Sequence, residues 1–266
     1  MEEYNGFKGA FKVVGQATCD DHDTVYDLYD TPGGVTGMCN ECFKQQQESE
    51  NKTLVEKAMK NHEEGYRRFV MSFERVTGDL QDATVNSYQP KHETQAKAKQ
   101  AVVRFVEDFE RDGTTRSLVL SGSPGLGKSH LSYATAKAFR AKGLSALYVK
   151  STDLLDHIKN TYSNEARTTE EQIYKMIENL DLLILDDIGS EYIKVNESGH
   201  ESWASDVLYK VLDSRLNQPT ICTTNYGEIE LEKKYGHNGP RITSRMMDNT
   251  EAIRLQGEDR RRKARF

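Results

Sequence analysis

The spacing of hydrophobic residues divides the chain into three stretches. Residues 1–45 are rich in Gly, Asp and Thr, and their short apolar alternations predict small strands and turns. Over residues 53–77 the apolar side chains recur at three- and four-residue steps, which predicts a helix that Gly65 interrupts. Residues 78–92 are polar and contain Pro90, so their composition predicts a linker.

From about residue 93 onward, helical spacing alternates with short apolar runs. The runs that predict strands are 117–121, 146–149, 182–185, 220–222 and 252–255, and the segments that predict helices are 93–112, 128–142, 152–161, 169–179, 203–216 and 240–247. The run 182–185 is unbroken, which is typical of a strand in a parallel sheet covered on both faces. This alternation predicts an α/β fold with a parallel sheet flanked by helices. We therefore expect an N-terminal domain over 1–78, a linker over 79–92 and a larger domain over 93–266.

The strongest chemical signal lies between the first of these strands and the helix after it. A complete G-x-x-x-x-G-K-S phosphate-binding loop is formed there by Gly122, Ser123, Pro124, Gly125, Leu126, Gly127, Lys128 and Ser129. Its glycines let backbone N–H groups converge on phosphate oxygens at a helix N-terminus. We expect Lys128 to contact the β- and γ-phosphates of ATP and the Ser129 hydroxyl to ligate Mg²⁺.

Polar residues follow two of the other predicted strands. Asp186 comes directly after the run 182–185, where a carboxylate can hold Mg²⁺, and Asp187 can polarise the water that attacks the γ-phosphate. A solvated turn is the alternative interpretation of this pair. Asn225 closes the next strand, within reach of the γ-phosphate and the water, although asparagine also forms ordinary turns.

Two arginines are candidates for a contact with a neighbouring subunit. Arg241 and Arg245 lie at positions i and i+4 of the predicted helix 240–247, so they share a face. An arginine finger at the γ-phosphate offsets charge that develops during hydrolysis, and a surface charge pair is the alternative. A basic tail over 254–266 includes Arg261, and it is interpreted as a nucleotide contact, a phosphate patch or a solvated tail.

The N-terminal stretch carries a metal signal. Its pattern is C-x2-H followed by C-x2-C after sixteen residues, formed by Cys19, His22, Cys39 and Cys42. This spacing is typical of a zinc ribbon, and a short segment with few apolar residues needs such a clip to fold. An aspartate such as Asp20 or Asp23 is the alternative fourth ligand, and three unrelated thiols with a surface histidine are the other interpretation.

Composition excludes some partners. Lys and Arg number 36 against 42 for Asp and Glu, so the net charge of −6 does not favour bulk nucleic-acid binding, and any DNA contact must come from a local patch. Neither a run of ~20 apolar residues nor a secretory signal is found, so we expect a cytoplasmic protein that does not bind membranes.

Together these motifs resemble the DnaC/DnaI family of AAA+ replicative-helicase loaders. The resemblance covers roughly residues 70–266 and is carried by LVLSGSPGLGKSHLSYATA, LLILDDIG, TTN, RITSRM, NSYQP and GEDRR. It implies an AAA+ fold with Walker roles for Lys128, Ser129, Asp186 and Asp187. It further implies the sensor-1 role for Asn225, the arginine finger for Arg245 with Arg241 beside it, and the sensor-2 role for Arg261.

The resemblance also implies a function. A loader of this kind would bind ATP, Mg²⁺ and Zn²⁺, self-associate through its ATPase domain, and place the hexameric replicative DNA helicase on single-stranded DNA during replication initiation. Its zinc-bearing N-terminal module would contact the helicase. An IstB-like ATPase that assists a transposase shares the ATPase motifs, and the zinc module argues against it. A nucleotide-binding helicase adaptor with little turnover is the third hypothesis.

Overall fold

The structure, a computed structural model, describes residues 11–163, 165–166, 168–193 and 203–261. The chain forms two compact units, Met1–Glu64 and Gly65–Phe266. The boundary between these units falls before residue 78, where the sequence places the end of the N-terminal domain. The boundary falls inside the helix Asn40–Phe73, which belongs to the first unit up to Glu64 and to the second unit from Gly65 onward.

The N-terminal unit contains a three-stranded antiparallel sheet in the order β1-β2-β3. The strands are β1 (Lys12–Thr18), β2 (Val25–Thr31) and β3 (Gly34–Thr36), as the short apolar alternations predict. Thr31 closes the turn between β2 and β3, since its hydroxyl donates to the Gly34 carbonyl at 2.8 Å.

A long helix, α1 (Asn40–Phe73), follows directly after Cys39. It begins earlier than the predicted helix over 53–77, because residues 40–52 are good helix formers without apolar periodicity. Gly65 does not interrupt it. Beyond Gly65 the helix buries Tyr66, Phe69 and Phe73 in the second unit, and the Phe73 ring stacks on His157 with centroids 4.1 Å apart.

The second unit is built on a five-stranded sheet in the order β5-β6-β7-β4-β8, and its pairings are all parallel. The strands are β4 (Ser117–Ser121), β5 (Ala146–Lys150), β6 (Leu182–Ile188), β7 (Thr220–Thr224) and β8 (Thr250–Arg254). The five predicted strands are confirmed, and β6 extends through the acidic pair. Alternate β6 residues enter different cores, Leu183 and Leu185 on one face and Leu182 and Ile184 on the other, so both faces are covered.

Helices pack on both faces of this sheet. They are α2 (Gly78–Gln81), α3 (Glu93–Asp112), α4 (Lys128–Ala141), α5 (Ser151–Asn160), α6 (Glu170–Glu178), α7 (Trp203–Ser214), α8 (Glu228–Tyr235) and α9 (Gly239–Met247), with a 3₁₀ turn at Gly236–Asn238 before α9. The mostly charged α8 has no helical prediction in the sequence. Helix α3 ends at Gly113, whose left-handed φ of 62° makes it the C-cap. Among the described residues, none of these helices is long and apolar enough to cross a membrane.

The segment 79–92 packs on the second unit, in contrast to the linker predicted from its composition. Ala83 and Tyr88 are buried in that unit's core. The Tyr88 hydroxyl donates to the Leu126 carbonyl at 2.7 Å, and the Lys99 ammonium donates to the Tyr88 carbonyl at 2.8 Å. Two buried side chains in a polar stretch produce no periodicity, so composition alone does not reveal this packing.

Candidate nucleotide site and metal centre

The carboxyl ends of three neighbouring strands create a cavity of about 420 Å³. The phosphate loop follows β4, the acidic pair ends β6, and Asn225 follows β7. Parallel strands bring such ends to one edge of the sheet, where α/β proteins bind ligands. The cavity contains most of the predicted site residues, namely Pro124, Gly125, Gly127, Lys128, Ser129, Asp186, Asp187, Asn225 and Arg261.

The remaining loop residues lie beside this cavity. Gly122 and Ser123 line an adjacent cavity of about 250 Å³ together with Asn225, and Leu126 is buried beneath the loop. Gly127 has a φ of 85° and caps α4 at its N-terminus. A Cβ on Gly127 would lie 2.4 Å from a ring carbon of Tyr88, so the buried tyrosine allows only glycine at this position.

Lys128 lies folded against its own loop. Its ammonium donates to the carbonyls of Gly122 at 2.6 Å and Ser123 at 2.9 Å, and to Oδ1 of Asn225 at 2.8 Å. Burial lowers the pKa of Lys128 from 10.5 to about 8, against the opposing effect of the nearby Asp187 and Asp186 carboxylates. The cation is therefore held at the centre of the site in an environment that disfavours its charge relative to water.

Asp186 is rigidly held. It is only 2% exposed, and it accepts hydrogen bonds from the Tyr148 hydroxyl at 2.6 Å and the Thr223 hydroxyl at 2.7 Å, one on each carboxylate oxygen. Burial, followed by the charge of Asp186, raises the pKa of Tyr148, so the phenol stays protonated and donates. Ser129 lies in the same cavity, and a hydroxyl beside a carboxylate is a donor set that fits Mg²⁺.

Asp187 adopts an unusual backbone conformation, with a φ of 61°. The pairing of β6 with β7 shifts register between Leu185 and Ile188, and the freed Asp187 N–H donates to the Thr223 hydroxyl at 2.9 Å. The Asp187 side chain accepts from the Asn225 amide at 2.7 Å. Burial, and then the charge of Asp186, raises the pKa of Asp187, which makes it a better proton acceptor near neutral pH.

Neither Arg241 nor Arg245 lines this cavity. Both lie on α9 and contact α7: Arg245 donates through Nε to Asp213 at 2.7 Å, and the Arg241 guanidinium lies 3.9 Å from the centroid of the Tyr209 ring. Both arginines therefore lie outside the nucleotide cavity of their own chain.

The segment 259–261 lies against the phosphate loop. Arg261 lines the cavity, and its Nε lies 3.5 Å from the Asp259 carboxylate. Arg260 also lines the cavity, with its guanidinium 4.3 Å from the centroid of Tyr88 and its backbone N–H donating to the Gly125 carbonyl at 3.1 Å. Two arginines of this segment, rather than one, thus line the cavity.

The predicted zinc ligands form a cluster in the N-terminal unit. Within the part of the chain that the structure describes, one group of possible ligands lies within 4.8 Å of one another, and it consists of Cys19, His22, Cys39 and Cys42. Neither Asp20 nor Asp23 belongs to it.

The cluster geometry fits zinc. The Cys19 and Cys42 sulfurs are 3.5 Å apart, and Nδ1 of His22 lies 3.6, 3.5 and 3.4 Å from the sulfurs of Cys19, Cys39 and Cys42. Ligands arranged tetrahedrally at zinc bond lengths are about 3.5–3.8 Å apart. The Cys42 backbone N–H donates to the Cys39 sulfur and lowers the pKa of Cys39 to about 6, whereas the Cys39 and Cys19 sulfurs raise the pKa of Cys42 to about 12. Cys39 is therefore the thiol of this pair that becomes a thiolate at the lower pH.

The comparison with known families is decisive. The profile described as "IstB-like ATP binding protein" matches residues 43–266, which is most of the chain. The chain belongs to the IstB-like ATP-binding protein family. It is therefore an ATP-binding protein, and the predicted AAA+ fold is confirmed by its parallel sheet and its structural neighbours.

This IstB-like chain is similar to proteins named replicative helicase loaders. It is 32% identical over 168 residues to DnaC of Escherichia coli (strain K12), which covers 62% of this chain and 63% of DnaC. It is 27% identical over 198 residues to DnaI of Bacillus subtilis (strain 168), covering 70% and 60% of the two chains. The matches therefore span less than two thirds of the length of these relatives.

A solved structure supports the same resemblance. The crystal structure of the DnaC helicase loader superposes with a TM-score of 0.57 at 25% identity, covering 68% of this chain and 100% of that one. The family match of the IstB-like chain begins at residue 43, directly after the last predicted zinc ligand. The cluster of cysteines and histidine thus lies N-terminal to the matched residues and is not part of the family profile.

Several site residues of the IstB-like chain were not predicted from sequence. Tyr148 lies in the middle of a predicted strand and belongs to no motif. Thr223 lies in the TTN run, and its position at a strand end is the signal that could have identified it. The cavity is also lined by Thr77, Asp79, Leu80 and Lys150, which belong to no motif, and by His130 and Arg260, which lie in the LVLSGSPGLGKSHLSYATA and GEDRR runs.

Proposed function

We propose that this chain is an ATP-dependent loader of the hexameric replicative DNA helicase onto single-stranded DNA in replication initiation. The observation that carries the proposal is its similarity to DnaC and DnaI across the unit that holds the complete nucleotide cavity.

ATP would bind with its phosphates on the loop 122–129. Backbone N–H groups of the loop and the N-terminus of α4 supply positive potential there. Lys128 would exchange its carbonyl partners for phosphate oxygens, and Ser129 with Asp186 would hold Mg²⁺. The metal, when bound, neutralises phosphate charge. The hydroxyls of Tyr148 and Thr223 keep the Asp186 carboxylate oriented for that purpose.

Hydrolysis would use Asp187 as the general base. Its raised pKa favours acceptance of a proton from the attacking water. Asn225 contacts both Asp187 and Lys128 through its two amide atoms, so it is placed to orient the water between the base and the γ-phosphate. This is the sensor-1 role. Arg261, which lines the same cavity, would contact the nucleotide in the sensor-2 role.

Assembly would complete the site. Arg245, with Arg241 beside it, lies outside its own cavity and would reach the γ-phosphate held by the next subunit. An arginine finger of this kind offsets charge in the transition state. ATP binding and self-association through the ATPase unit would therefore be coupled.

The remaining partners follow from the same proposal. The N-terminal unit, held together by zinc, would contact the helicase. Single-stranded DNA would be held by a local basic track, because the net charge of −6 gives no general attraction to nucleic acid.

Two other functions are compatible with the same cavity and can be distinguished from helicase loading by experiment. The family description favours an IstB-like ATPase that assists a transposase as the second candidate. A helicase adaptor with little turnover has the same cavity but would not hydrolyse ATP at a useful rate.

The test is capture of a purified replicative helicase by the full chain, with and without ATP, followed by measurement of helicase transferred to single-stranded circular DNA. We expect capture, and transfer that depends on ATP and fails in Lys128→Ala. Lack of helicase capture in either condition contradicts the proposal, and stimulation of a transposase in its place supports the second candidate. Capture and transfer without ATP hydrolysis support the adaptor.

A further inference from the structure

Two side chains of α7 hold the guanidinium of Arg245. Asp213 accepts from Nε of Arg245 at 2.7 Å, and the Tyr209 hydroxyl donates to the same Asp213 oxygen at 3.3 Å. The Arg245 guanidinium carbon lies 6.0 Å from the centroid of the Tyr209 ring. The hydrogen bond to Asp213, followed by that to Tyr209, raises the pKa of Arg245, so the three side chains form one polar cluster.

The partners of Arg241 are different. It lies closer to Tyr209, at 3.9 Å from the ring centroid, and donates to Oδ1 of Asn238 at 3.1 Å. Asn238 is fully buried and its amide donates to Asp206 on α7 at 2.7 Å. Arg241 therefore packs across the α7–α9 contact, where it fixes one helix against the other.

The ion pair with Asp213 uses only one of the N–H groups of the Arg245 guanidinium. Asp213 takes the Nε–H, which lies at the base of the guanidinium fork, so the terminal amino groups remain able to pair with a phosphate. Both partners are reachable from solvent, with side-chain exposures of 33% for Arg245 and 42% for Asp213. A long arginine side chain loses less freedom on binding phosphate when its guanidinium is already oriented.

We propose that Asp213 and Tyr209 are positioning residues that orient Arg245 towards ATP on the neighbouring subunit. The proposal rests on the proposed function, since it requires an arginine finger supplied between subunits. It also assigns different roles to the two arginines: Arg245 is the finger, and Arg241 supports the helix that carries it.

The test uses Asp213→Asn, which keeps the shape of the side chain and removes its charge. We expect ATP turnover of the assembled full chain to fall roughly 10- to 100-fold, as for a misplaced catalytic group, while ATP affinity of the dilute chain stays at the parental value. Tyr209→Leu should reduce turnover similarly. Asp108→Asn is the matched control, because Asp108 forms a partly exposed ion pair with Arg111 on α3, at 2.9 Å, and should leave turnover unchanged.

Mixing experiments separate positioning from a general loss of folding. Asp213→Asn has an intact phosphate loop, so it should regain turnover when mixed with Lys128→Ala, which supplies an intact finger. A mixture of Asp213→Asn with Arg245→Ala should not exceed the reduced turnover of Asp213→Asn alone, because neither chain has a well-placed finger. A variant that merely unfolds would regain activity with neither partner.

Four results would overturn the inference. Parental turnover in Asp213→Asn shows that the contact does not position Arg245. Increased turnover shows that Asp213 sequesters the arginine instead. Recovery of activity in the mixture with Arg245→Ala shows that the defect lies elsewhere. Parental turnover of Arg245→Ala in the assembled protein contradicts the assignment of Arg245 as the intersubunit finger. The positioning proposal is then wrong as well, because it depends on that assignment.

Discussion

Lys128 donates a hydrogen bond to Asn225 at 2.8 Å, across 97 positions of the chain. The same Asn225 amide donates to Asp187 at 2.7 Å. A single side chain therefore connects the cation of the phosphate loop to the proposed general base. Because Asn225 bonds to both Lys128 and Asp187, a change of charge at one of them alters the hydrogen bonding of the other. We therefore expect the site to respond to pH and to conservative substitutions.

ATP affinity should fall at alkaline pH. Burial lowers the pKa of Lys128 to about 8, so the ammonium that attracts phosphate is lost above that pH. We expect the dissociation constant for ATP to rise by up to about tenfold per pH unit above pH 8. Calorimetric titration in buffers with different ionisation heats should show proton uptake on binding near pH 8, and Lys128→Ala should show none from this group.

The lowered pKa of Lys128 also predicts how the free energy of unfolding changes with pH. Between about pH 8 and 10.5 the folded protein has released a proton that Lys128 retains in the unfolded chain. The contribution of this group therefore increases the free energy of unfolding of the ATP-free protein as pH rises through that window. A decrease attributable to Lys128, obtained by comparison with Lys128→Ala, contradicts the lowered pKa.

Asp187→Asn should separate binding from hydrolysis. The asparagine keeps an oxygen for the Asn225 amide but cannot accept the proton of the attacking water. We expect ATP affinity to stay near the parental value and turnover to fall roughly 10²- to 10⁴-fold. Lys128→Ala should instead weaken binding. Equilibrium ATP binding and phosphate release check both variants, and parental turnover in Asp187→Asn shows that another group is the base.

Gly125→Ala should disable the site far more than Gly143→Ala. Both glycines have a φ of 78°, so both substitutions carry the same kind of backbone strain, about 1–2 kcal/mol. A Cβ on Gly125 would also lie 1.7 Å from a carboxylate oxygen and 3.0 Å from the Cα of Asp259, whereas Gly143 has no neighbouring atom within 4 Å.

The two alanine variants are compared by ATP titration and by chemical denaturation. Gly143→Ala should lose only stability, and Gly125→Ala should also lose ATP affinity because the segment 259–261 is displaced from the cavity. Equal ATP affinities would show that this segment is not needed for binding.

Purified protein should contain about one zinc per chain. Cys39→Ser should lose the metal and unfold the N-terminal unit, because the sheet and the start of α1 are joined by the four ligands. Cys222→Ala is the control: this thiol is buried in the second unit, and its loss should leave zinc content unchanged. Metal analysis and circular dichroism measure both effects, and a metal-free protein with a folded N-terminal unit contradicts the zinc site.

Arg245→Ala and Lys128→Ala should each be inactive alone and partly active when mixed. In the mixture, some interfaces pair an intact phosphate loop with an intact arginine. A finger contributes about 10³–10⁵ in turnover in well-studied nucleotide hydrolases, so the loss and the recovery should both be large. If Arg245→Ala alone retains parental turnover while assembled, the finger is another residue, and Arg241 is the first to test.

Features with local signals could be predicted from the sequence alone. The phosphate loop is eight consecutive residues between a strand and a helix, and the acidic pair follows an unbroken apolar run. The four proposed zinc ligands occur in two short motifs. Period and spacing report such features because the residues that act together are neighbours in the chain or share one regular element.

Contacts between residues that are distant in the chain could be identified only from the tertiary structure. Tyr148 holds Asp186 from 38 positions away, and Asp213 holds Arg245 from 32 positions away. Tyr88 lies in a segment whose composition predicts a linker. It is buried because it packs on the phosphate loop, where its hydroxyl donates to the Leu126 carbonyl 38 positions away. No local pattern encodes such pairs, since each is created only when the parallel strands and their helices bring separate segments to the same edge of the sheet.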